Sequence, residues 1–329
     1  MKAVLVEAFG PLGTHAVTEA PDPTPTPGKV VIDVHAADTS YADILVIEGA
    51  YQVKPPLPFS PGKSAAGIVR AIGSGVTRVA PGDRVLAQVE YGAYAEQLAA
   101  REDEVFAIPP TIGFETAAAL GLAYQTAYFA LVHRGRFSAG ERVLVLGASG
   151  GVGVAAIQLA KALGAGSVIA AVRAEPDAAI ARQAGADSVI LIDRADLKDA
   201  LRDEVFAATA GRGVDIVIDP VGGAVTEAAL RAVAWQGRLV IVGFAAGQIP
   251  TIRANYLLVK NIEVSGLQWS DYREREPGLI RAAQEEIFRL AGAGQLAPII
   301  EVRPLAEFAG ALQRLKRGEV QGKLVLRTR

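Results

Sequence analysis

The sequence contains no cysteine and only three histidines, His15, His35 and His133. The absence of cysteine excludes disulfide bonds, thiolate nucleophiles and every zinc site that uses cysteine ligands. The three histidines are too few and too far apart along the chain to indicate a metal cluster. We therefore expect no bound metal.

Runs of like charge and long apolar segments are also missing. The 33 basic and 35 acidic residues are interspersed, and the net charge is −2, so we expect neither a nucleic-acid partner nor a membrane partner. Residues 143–160 and 116–132 are uncharged, but the first stretch holds a glycine cluster and the second is short for a membrane span. Residues 1–10 include Glu7 and do not resemble a signal peptide, so we expect a cytoplasmic protein.

The chain has 329 residues, 51% of them hydrophobic, which is enough for about two domains with sizeable cores. The first 120 residues are β-rich, with short apolar runs bounded by Gly, Pro or Asp. The strands predicted there are 4–6, 30–34, 67–72 and 84–89. The loop 49–63 contains four prolines, which favour an extended and fairly rigid path.

From about residue 115 the pattern changes to helix and then to alternating strands and helices. The predicted strands are 142–147, 167–172, 188–192, 214–219 and 237–243. The predicted helices are 115–133, 154–164, 175–184, 195–210, 224–234, 277–293 and 304–317. The strands in the middle of the chain are almost continuously apolar, which is typical of a parallel sheet covered on both faces.

A glycine-rich turn, ASGGVG, joins the strand 142–147 to the helix 154–164. It matches the G-x-G-x-x-G fingerprint of dinucleotide-binding folds, with alanine in the first glycine place. Gly150 would let the backbone approach a pyrophosphate, and Gly153 would allow close packing of helix against strand. The predicted cofactor-binding residues of this turn are Ala148, Ser149, Gly150, Gly151, Val152 and Gly153.

The end of the second strand indicates which dinucleotide is bound. An acidic residue about 20 positions after the turn usually binds the ribose of NAD. Arg173 stands there instead, and a guanidinium favours the 2′-phosphate of NADPH. Glu175, two residues later, leaves NAD open as the alternative. The other interpretation of Arg173 is a solvated loop residue.

Several segments spread over the chain resemble one known family. They are GAYQVKPPLPFSPG (49–62), GDRV (82–85), GAYAEQ (92–97), GASGGVG (147–153), AKALGA (160–165), DPVGG (219–223), GRLVIVGF (237–244) and GKLVL (322–326). With them, the chain resembles the zinc-independent quinone oxidoreductases, the ζ-crystallin-like branch of the medium-chain dehydrogenase/reductase superfamily. The resemblance covers essentially the whole length.

The resemblance implies an α/β fold in which a Rossmann doubly wound parallel sheet is inserted into a GroES-like β-rich catalytic domain. The catalytic domain would comprise residues 1–122 and 264–329, and the NADPH-binding domain residues 123–263. The cofactor would lie in a cleft between the domains. The resemblance also implies a homodimer or homotetramer.

Zinc-dependent relatives have a cysteine at the position of Ser40 and a His-Glu pair at the positions of Lys63 and Ser64. None of those ligands is present here, so a metal-free mechanism is expected. Many relatives carry asparagine where Ser40 stands and glutamate where Ser64 stands, so this site departs from the family pattern. Asp43 matches a position near the metal of the zinc relatives and is interpreted here as a structural hydrogen-bonding group.

Hydride acceptors that delocalise negative charge, such as quinones and conjugated enones, need only a hydrogen-bond donor and no Lewis acid. The small-molecule electron acceptor is therefore expected to be a quinone or a conjugated carbonyl. The candidate catalytic residues are Tyr51, Ser40 and Tyr41. Tyr51 matches a family position close to the nicotinamide, with packing of the proline-rich loop as the alternative role. Tyr41 is interpreted as part of the apolar wall of the cleft more than as a proton donor.

The resemblance also implies cofactor contacts outside the glycine turn. These residues are Thr126, Val221, Gly243, Phe244, Ala245, Gly266, Leu267, Gln268 and Lys323. For Thr126 the alternative is a helix hydroxyl that bonds to its own turn, and for Lys323 it is an ordinary surface lysine.

The sequence leaves three functions to be separated. The first is an NADPH-dependent quinone reductase, and the second is an NADPH-dependent alkene reductase acting on enones or enoyl thioesters. The third is a non-catalytic NADPH-binding protein with a redox-sensing or structural role. Metal-assisted alcohol dehydrogenation is disfavoured by the missing ligands.

Overall fold

The computed structural model describes residues 1–193 and 195–329. The strands are β1 (Lys2–Leu5), β2 (Ala16–Glu19), β3 (Lys29–Asp38), β4 (Ser64–Ile72), β5 (Arg84–Gln88), β6 (Gln97–Arg101), β7 (Val105–Ala107), β8 (Arg142–Leu146), β9 (Ser167–Val172), β10 (Ser188–Leu191), β11 (Val214–Asp219), β12 (Val233–Ile241), β13 (Glu263–Gly266), β14 (Ile300–Pro304) and β15 (Lys323–Arg327).

The helices are α1 (Tyr41–Ile47), α2 (Phe114–Ala119), α3 (Leu122–Tyr128), α4 (Gly151–Ala162), α5 (Glu175–Ala184), α6 (Leu197–Ala208), α7 (Gly223–Ala232), α8 (Ala254–Lys260), α9 (Trp269–Arg275), α10 (Pro277–Gly292) and α11 (Phe308–Lys316). In the described part of the chain, no helix combines the length and the apolarity needed to cross a membrane.

The chain forms two compact units. Unit 1 comprises Met1–Ala123, Ser270–Ala293 and Ile300–Arg329, and unit 2 comprises Tyr124–Trp269 and Gly294–Ile299. The expected domain boundary at residue 264 falls inside β13, which pairs in parallel with β12 and lies in unit 2. The predicted boundary therefore differs from the limits of the two units, and the domain bounds stay a prediction.

Unit 1 is built on a sheet with the order β14-β15-β3-β4-β5-β7, in which β6 also pairs with β3. Apart from the parallel pair β14 and β15, the pairs of this sheet are antiparallel. The long strand β3 alternates Val30, Ile32 and Val34 into the core, where each is fully buried. The β-rich character predicted for the first 120 residues is confirmed.

Unit 2 contains a parallel sheet with the order β10-β9-β8-β11-β12-β13. In β8 the four residues after Arg142 are all buried, as expected for a strand with both faces covered. From β8 the chain adds β9 and β10 on one side of the sheet and then β11, β12 and β13 on the other side. Ligands of doubly wound sheets bind at this change of direction, which lies between β8 and β11. The parallel sheet predicted from the apolar strands is confirmed.

The single helix predicted over 115–133 is divided into α2, α3 and a π-helical turn at Phe129–Arg134. Gly121 lies at the first break, and a Cβ atom built there would come within 2.2 Å of the Ser64 Oγ atom. The interruption is therefore caused by close packing against β4, which an alanine-rich helical pattern does not reveal.

Candidate cofactor and active site

The glycine-rich turn of unit 2 presents the start of α4 to solvent. Ser149, Gly150, Gly151 and Val152 are partly exposed, whereas Gly153 is buried. Gly150 is the N-cap residue, and no side chain caps the helix. The first backbone N–H groups of a helix have no partner inside it, so they remain directed outward at the positive end of the helix dipole. The turn therefore presents backbone donors that suit an anion, and its contact with the cofactor remains a prediction.

The glycines of this turn have two different roles. A Cβ atom on Gly153 would lie 2.3 Å from the Gly147 carbonyl oxygen and 2.6 Å from the Ala148 Cα atom, so this glycine is needed for close packing. A Cβ atom on Gly150 would meet only the Gly147 oxygen, at an ordinary 3.5 Å. The fold itself therefore tolerates a side chain at Gly150, which leaves approach of a ligand as the reason for glycine there.

Ala148, in the first glycine place of the fingerprint, is fully buried. Its backbone N–H donates to the Ala171 carbonyl oxygen at 3.2 Å, which ties the turn to β9. Its side chain thus belongs to the packed base of the turn, and its backbone positions the exposed residues that follow.

Arg173 directly follows β9 and is exposed at the carboxyl end of the sheet. Glu175 begins α5 and forms an ion pair with Arg182, with 2.7 Å between Oε1 and Nη1. The side chain at the strand end is therefore a guanidinium, which suits a phosphate, and the nearby carboxylate already has a cationic partner. A guanidinium at this position suits a 2′-phosphate, and contact of Arg173 with that phosphate remains a prediction.

Asp219 at the end of β11 organises the next loop. Its Oδ1 atom accepts hydrogen bonds from the Val221 and Gly222 N–H groups at 2.8 and 2.9 Å, and its Oδ2 atom accepts one from the Thr226 hydroxyl. Burial raises the pKa of Asp219, and these hydrogen bonds oppose the shift. The buried carboxylate thereby fixes the loop that carries Val221.

The loops after β11, β12 and β13 are joined to one another by backbone hydrogen bonds. The Ala245 N–H donates to the Pro220 oxygen at 3.1 Å, and the Leu267 N–H donates to the Ile241 oxygen at 2.9 Å. Because the strands are parallel, these loops share the edge that carries the glycine-rich turn and Arg173. The predicted cofactor residues on this edge are Val221, Gly243, Phe244, Ala245, Gly266, Leu267 and Gln268.

Thr126 lies elsewhere, in the middle of α3, where it is half-buried. Its cofactor contact remains a prediction, as do the individual contacts of the loop residues.

In unit 1, Ser40 forms the N-cap of α1 in a capping box with Asp43. The Ser40 backbone N–H and hydroxyl donate to the Asp43 Oδ2 atom at 2.7 and 2.9 Å, and the Tyr94 hydroxyl donates to the same oxygen at 3.0 Å. Burial raises the pKa of Asp43, while the positive charge of Lys63 and the hydrogen bonds from Ser40 and Tyr94 act in the opposite direction. The hydroxyl proton of Ser40 is therefore committed to Asp43, and a catalytic role of Ser40 remains a prediction.

Tyr51 lies at the start of the proline-rich loop, half-buried against the hydrophobic core of unit 1. The Lys63 Nζ atom stands 4.9 Å from the centroid of its ring. Lys63 in turn forms an ion pair with Glu90, and it donates to the Glu90 backbone oxygen at 3.0 Å. Tyr41, in the first turn of α1, also packs against the core, which agrees with its interpretation as an apolar wall.

Lys323 is buried, unlike the surface lysine considered as the alternative. Its Nζ atom lies 2.8 Å from the Asp38 Oδ2 atom and donates to the Thr39 carbonyl oxygen at 2.6 Å. Burial raises the pKa of Asp38 to about 7, and the charge of Lys323 opposes the shift. A cofactor phosphate would therefore have to share this ammonium group with Asp38.

The side chains at the positions of the zinc ligands do not fit a zinc ion. Ser40 is bonded to Asp43, Ser64 donates to the Ala118 carbonyl oxygen at 3.3 Å, and Lys63 supplies an ammonium group, which cannot act as a ligand. Within residues 1–193 and 195–329, no group of three or more acidic or histidine side chains is arranged to hold a metal ion.

Four residues around these sites were given no functional role from the sequence, namely Asp219, Tyr94, Lys63 and Glu90. Asp219 offered a signal, because an acidic residue directly after a buried apolar strand and before Pro220 and two glycines is typical of a loop-fixing carboxylate. The other contacts arise only in the tertiary fold. Tyr94 bonds to Asp43, and Lys63 contacts both Glu90 and Tyr51.

Comparisons with known proteins agree with this architecture. The family model "Alcohol dehydrogenase GroES-like domain" matches residues 26–177, and the model "Zinc-binding dehydrogenase" matches residues 151–285. The bovine (Bos taurus) "Quinone oxidoreductase-like protein 2" is 36% identical over 325 residues, which covers 98% of this chain and 91% of the bovine protein. The predicted fold class, a GroES-like β-rich domain with a Rossmann-like parallel sheet, is confirmed.

Solved structures give the same picture. The structure of Escherichia coli quinone oxidoreductase complexed with NADPH is similar with a TM-score of 0.90 and 29% identity, and the match covers 100% of both chains. A structure described as an NAD-dependent alcohol dehydrogenase is similar with a TM-score of 0.90 and 30% identity, again over 100% of both chains.

Proposed function

The chain belongs to the quinone oxidoreductase family of the medium-chain dehydrogenases and reductases, and on that premise we propose that it is a zinc-free, NADPH-dependent oxidoreductase. Its proposed reaction is transfer of a hydride to a quinone or to a conjugated carbonyl compound.

The observation that carries the cofactor assignment is the carboxyl edge of the parallel sheet. There the open N-terminus of α4 offers backbone donors for a pyrophosphate, and Arg173, exposed after β9, is the proposed partner of the ribose 2′-phosphate. The E. coli relative complexed with NADPH supports this assignment. Because a similar structure is described as an NAD-dependent alcohol dehydrogenase, NADH is the competing cofactor and is tested beside NADPH.

The acceptor is inferred from the chemistry of unit 1. The ligand positions of the zinc relatives hold hydroxyls and an ammonium group, so polarisation of an ordinary ketone by zinc has no counterpart in these residues. Negative charge in a quinone or enone is delocalised, so one hydrogen-bond donor near the carbonyl oxygen is sufficient stabilisation. This limits the proposed substrates to conjugated carbonyl compounds.

Tyr51 is the proposed donor to the acceptor oxygen. Its contacts within the described residues run through its ring and its backbone, which leaves the phenol for an external acceptor. NADPH supplies a hydride when it is bound, and one proton completes the reduction of a quinone to a hydroquinone. Asp43, hydrogen-bonded to Ser40 and Tyr94, holds the start of α1 beside this loop.

The test is anaerobic NADPH consumption with a quinone, an enone and an enoyl thioester, repeated with NADH. We expect turnover of the quinone with NADPH, and Tyr51→Phe should lower kcat by about tenfold or more through loss of the donor. Turnover confined to enones or thioesters would identify an alkene reductase. Tight NADPH binding without turnover of any acceptor would identify a non-catalytic NADPH-binding protein and refute the proposed enzyme.

We also propose that the protein is a homo-oligomer joined through unit 2. None of the residues of α8 is buried, and Leu258 and Val259 in it are 79% and 76% exposed. Trp235 in β12 is 70% exposed, and β13 forms an edge of the parallel sheet. Apolar side chains this exposed on one short helix favour coverage by another chain. Light scattering should give a mass above that of one 34.2 kDa chain, and Leu258→Glu should lower it.

A further inference from the structure

Lys63 is a buried cation that the proposed reaction does not yet use. Its side chain is 5% exposed, and its ammonium group is paired with Glu90, whose Oε2 atom also accepts a hydrogen bond from Arg273 at 2.8 Å. The Arg273 side chain is 6% exposed. Removing such charges from water is costly, and a whole buried ion pair can often be replaced by apolar side chains of similar volume without loss of stability. The position of Lys63 therefore needs a reason beyond stability.

The backbone and the head group of Lys63 are both held firmly. The Val89 N–H donates to the Lys63 carbonyl oxygen at 2.9 Å, and the β4–β5 ladder begins at the next residue, where Ser64 pairs with Gln88. Glu90 lies two residues after the end of β5. Its backbone oxygen and its carboxylate both bind the Lys63 ammonium group. With both ends fixed, the charge has little freedom to move.

The Lys63 ammonium group also faces the ring of Tyr51. The distance of 4.9 Å from Nζ to the ring centroid lies inside the range of about 6 Å for a cation–π interaction, which is stronger when the cation is desolvated. Tyr51 lies twelve positions earlier in the chain, at the opposite end of the loop that Lys63 closes. The ammonium group thus connects the two ends of this loop through the Tyr51 ring.

We infer that Lys63 is a positioning residue, which holds the ring of Tyr51 in the orientation that brings its phenol to the acceptor oxygen. This inference rests on the proposed function, in which Tyr51 is the hydrogen-bond donor. Glu90 holds Lys63, Lys63 holds the ring, and the ring carries the donor. A donor fixed before the reaction stabilises developing charge without reorganisation, so loss of Lys63 acts on kcat.

The experiment compares the wild type, Lys63→Met, Lys63→Arg, Tyr51→Phe and the double variant Lys63→Met/Tyr51→Phe. We expect Lys63→Met to lower kcat for the quinone about five- to tenfold with little change in the KM for NADPH. Lys63→Arg keeps a cation over the ring and should retain most of the rate. In the Tyr51→Phe background, Lys63→Met should change kcat less than about twofold, because the donor is already lost.

Lys54→Met is the matched control. Lys54 belongs to the same loop, and its Nζ atom lies 5.8 Å from the centroid of the Phe9 ring, so the same substitution removes a cation–π contact that does not involve Tyr51. We expect the rate of this control to equal that of the wild type. NADPH binding, measured by fluorescence titration, reports on the integrity of unit 2 in every variant. Lys63→Gln replaces Lys63→Met if the latter does not fold, and the same loss is expected.

Two results would overturn the inference. One is a Lys63→Met or Lys63→Gln variant with wild-type kcat, and the other is an equal loss of kcat in the presence and absence of the Tyr51 hydroxyl. A wild-type protein that reduces no acceptor refutes the proposed function itself and the inference with it. That failure is recognised from the wild type alone, before any variant is compared.

Discussion

A methyl group added at Gly150 or at Gly153 should separate cofactor binding from folding. The two glycines lie three residues apart in one turn, and the same substitution by alanine at each position meets different surroundings. At Gly153 the new Cβ atom would lie 2.3 Å from the Gly147 oxygen, and backbone atoms cannot move aside cheaply. At Gly150 the nearest atom is 3.5 Å away, and its φ of −82° is one that alanine adopts readily.

The expected magnitudes follow from these contacts. Gly153→Ala overpacks the junction of turn and helix, which costs about 2–3 kcal/mol and should lower the melting temperature of the protein by about 5–10 °C. Gly150→Ala should change stability by less than about 1 kcal/mol, because alanine is a poorer N-cap residue than glycine but also restricts the unfolded chain. At the N-cap of the anion site the methyl group should nevertheless raise the Kd for NADPH about tenfold, which corresponds to about 1.4 kcal/mol.

Both quantities can be measured on the same samples, with thermal unfolding followed by circular dichroism and NADPH binding followed by fluorescence titration. Gly150→Ala is expected to fold normally with an altered turn, so a loss of NADPH binding in this variant cannot be attributed to unfolding. If Gly150→Ala binds NADPH as tightly as the wild type, the turn is not the pyrophosphate site. If Gly153→Ala melts at the wild-type temperature, the close packing inferred for that glycine is wrong.

Three further predictions concern single side chains. Arg173→Ala should raise the KM for NADPH about tenfold or more and leave the KM for NADH almost unchanged, and equal changes for both cofactors would contradict a 2′-phosphate contact. Asp219→Asn removes the charge that accepts three hydrogen bonds and should destabilise the protein by about 1–3 kcal/mol in urea unfolding, and a neutral effect would show that the loop holds without it. The pKa of Asp38 is raised to about 7 in the folded protein. Between about pH 4 and pH 7 the folded state therefore holds a proton that the unfolded chain releases. The free energy of unfolding should fall as the pH rises through this window. Asp38→Asn should flatten that part of the stability curve, measured by urea unfolding at several pH values, and an unchanged slope would assign it to other groups.

The architecture of unit 2 could be predicted from the sequence because its information is local. The helix predicted at 175–184 coincides with α5, and the strand predicted at 214–219 coincides with β11. Apolar strands covered on both faces, and helices with a regular apolar period, leave their pattern in consecutive residues. The glycine-rich turn is local in the same sense, since strand, turn and helix follow each other directly.

Element ends and breaks were predicted less well, because they depend on neighbours in space. β12 begins at Val233, four residues before the predicted strand, where Val233 pairs with Val214 of β11. The break between α2 and α3 is explained by the close approach of Gly121 to Ser64. Each contact joins residues that are far apart in the sequence, so the local sequence of β12 or of α2 and α3 does not indicate it.

The sequence alone therefore predicted the fold class and the glycine-rich turn between β8 and α4, and it fixes which residue types stand at the end of the second strand and at the positions of the zinc ligands. Each of these is a matter of which residues are present and how they are spaced along the chain. Only the tertiary structure decided that Lys323 is paired with Asp38, nearly the whole length of the chain away, and that Lys63 lies over the Tyr51 ring. The physical reason is that a buried charge requires a partner, and the fold supplies that partner from a distant segment, which no local pattern can specify.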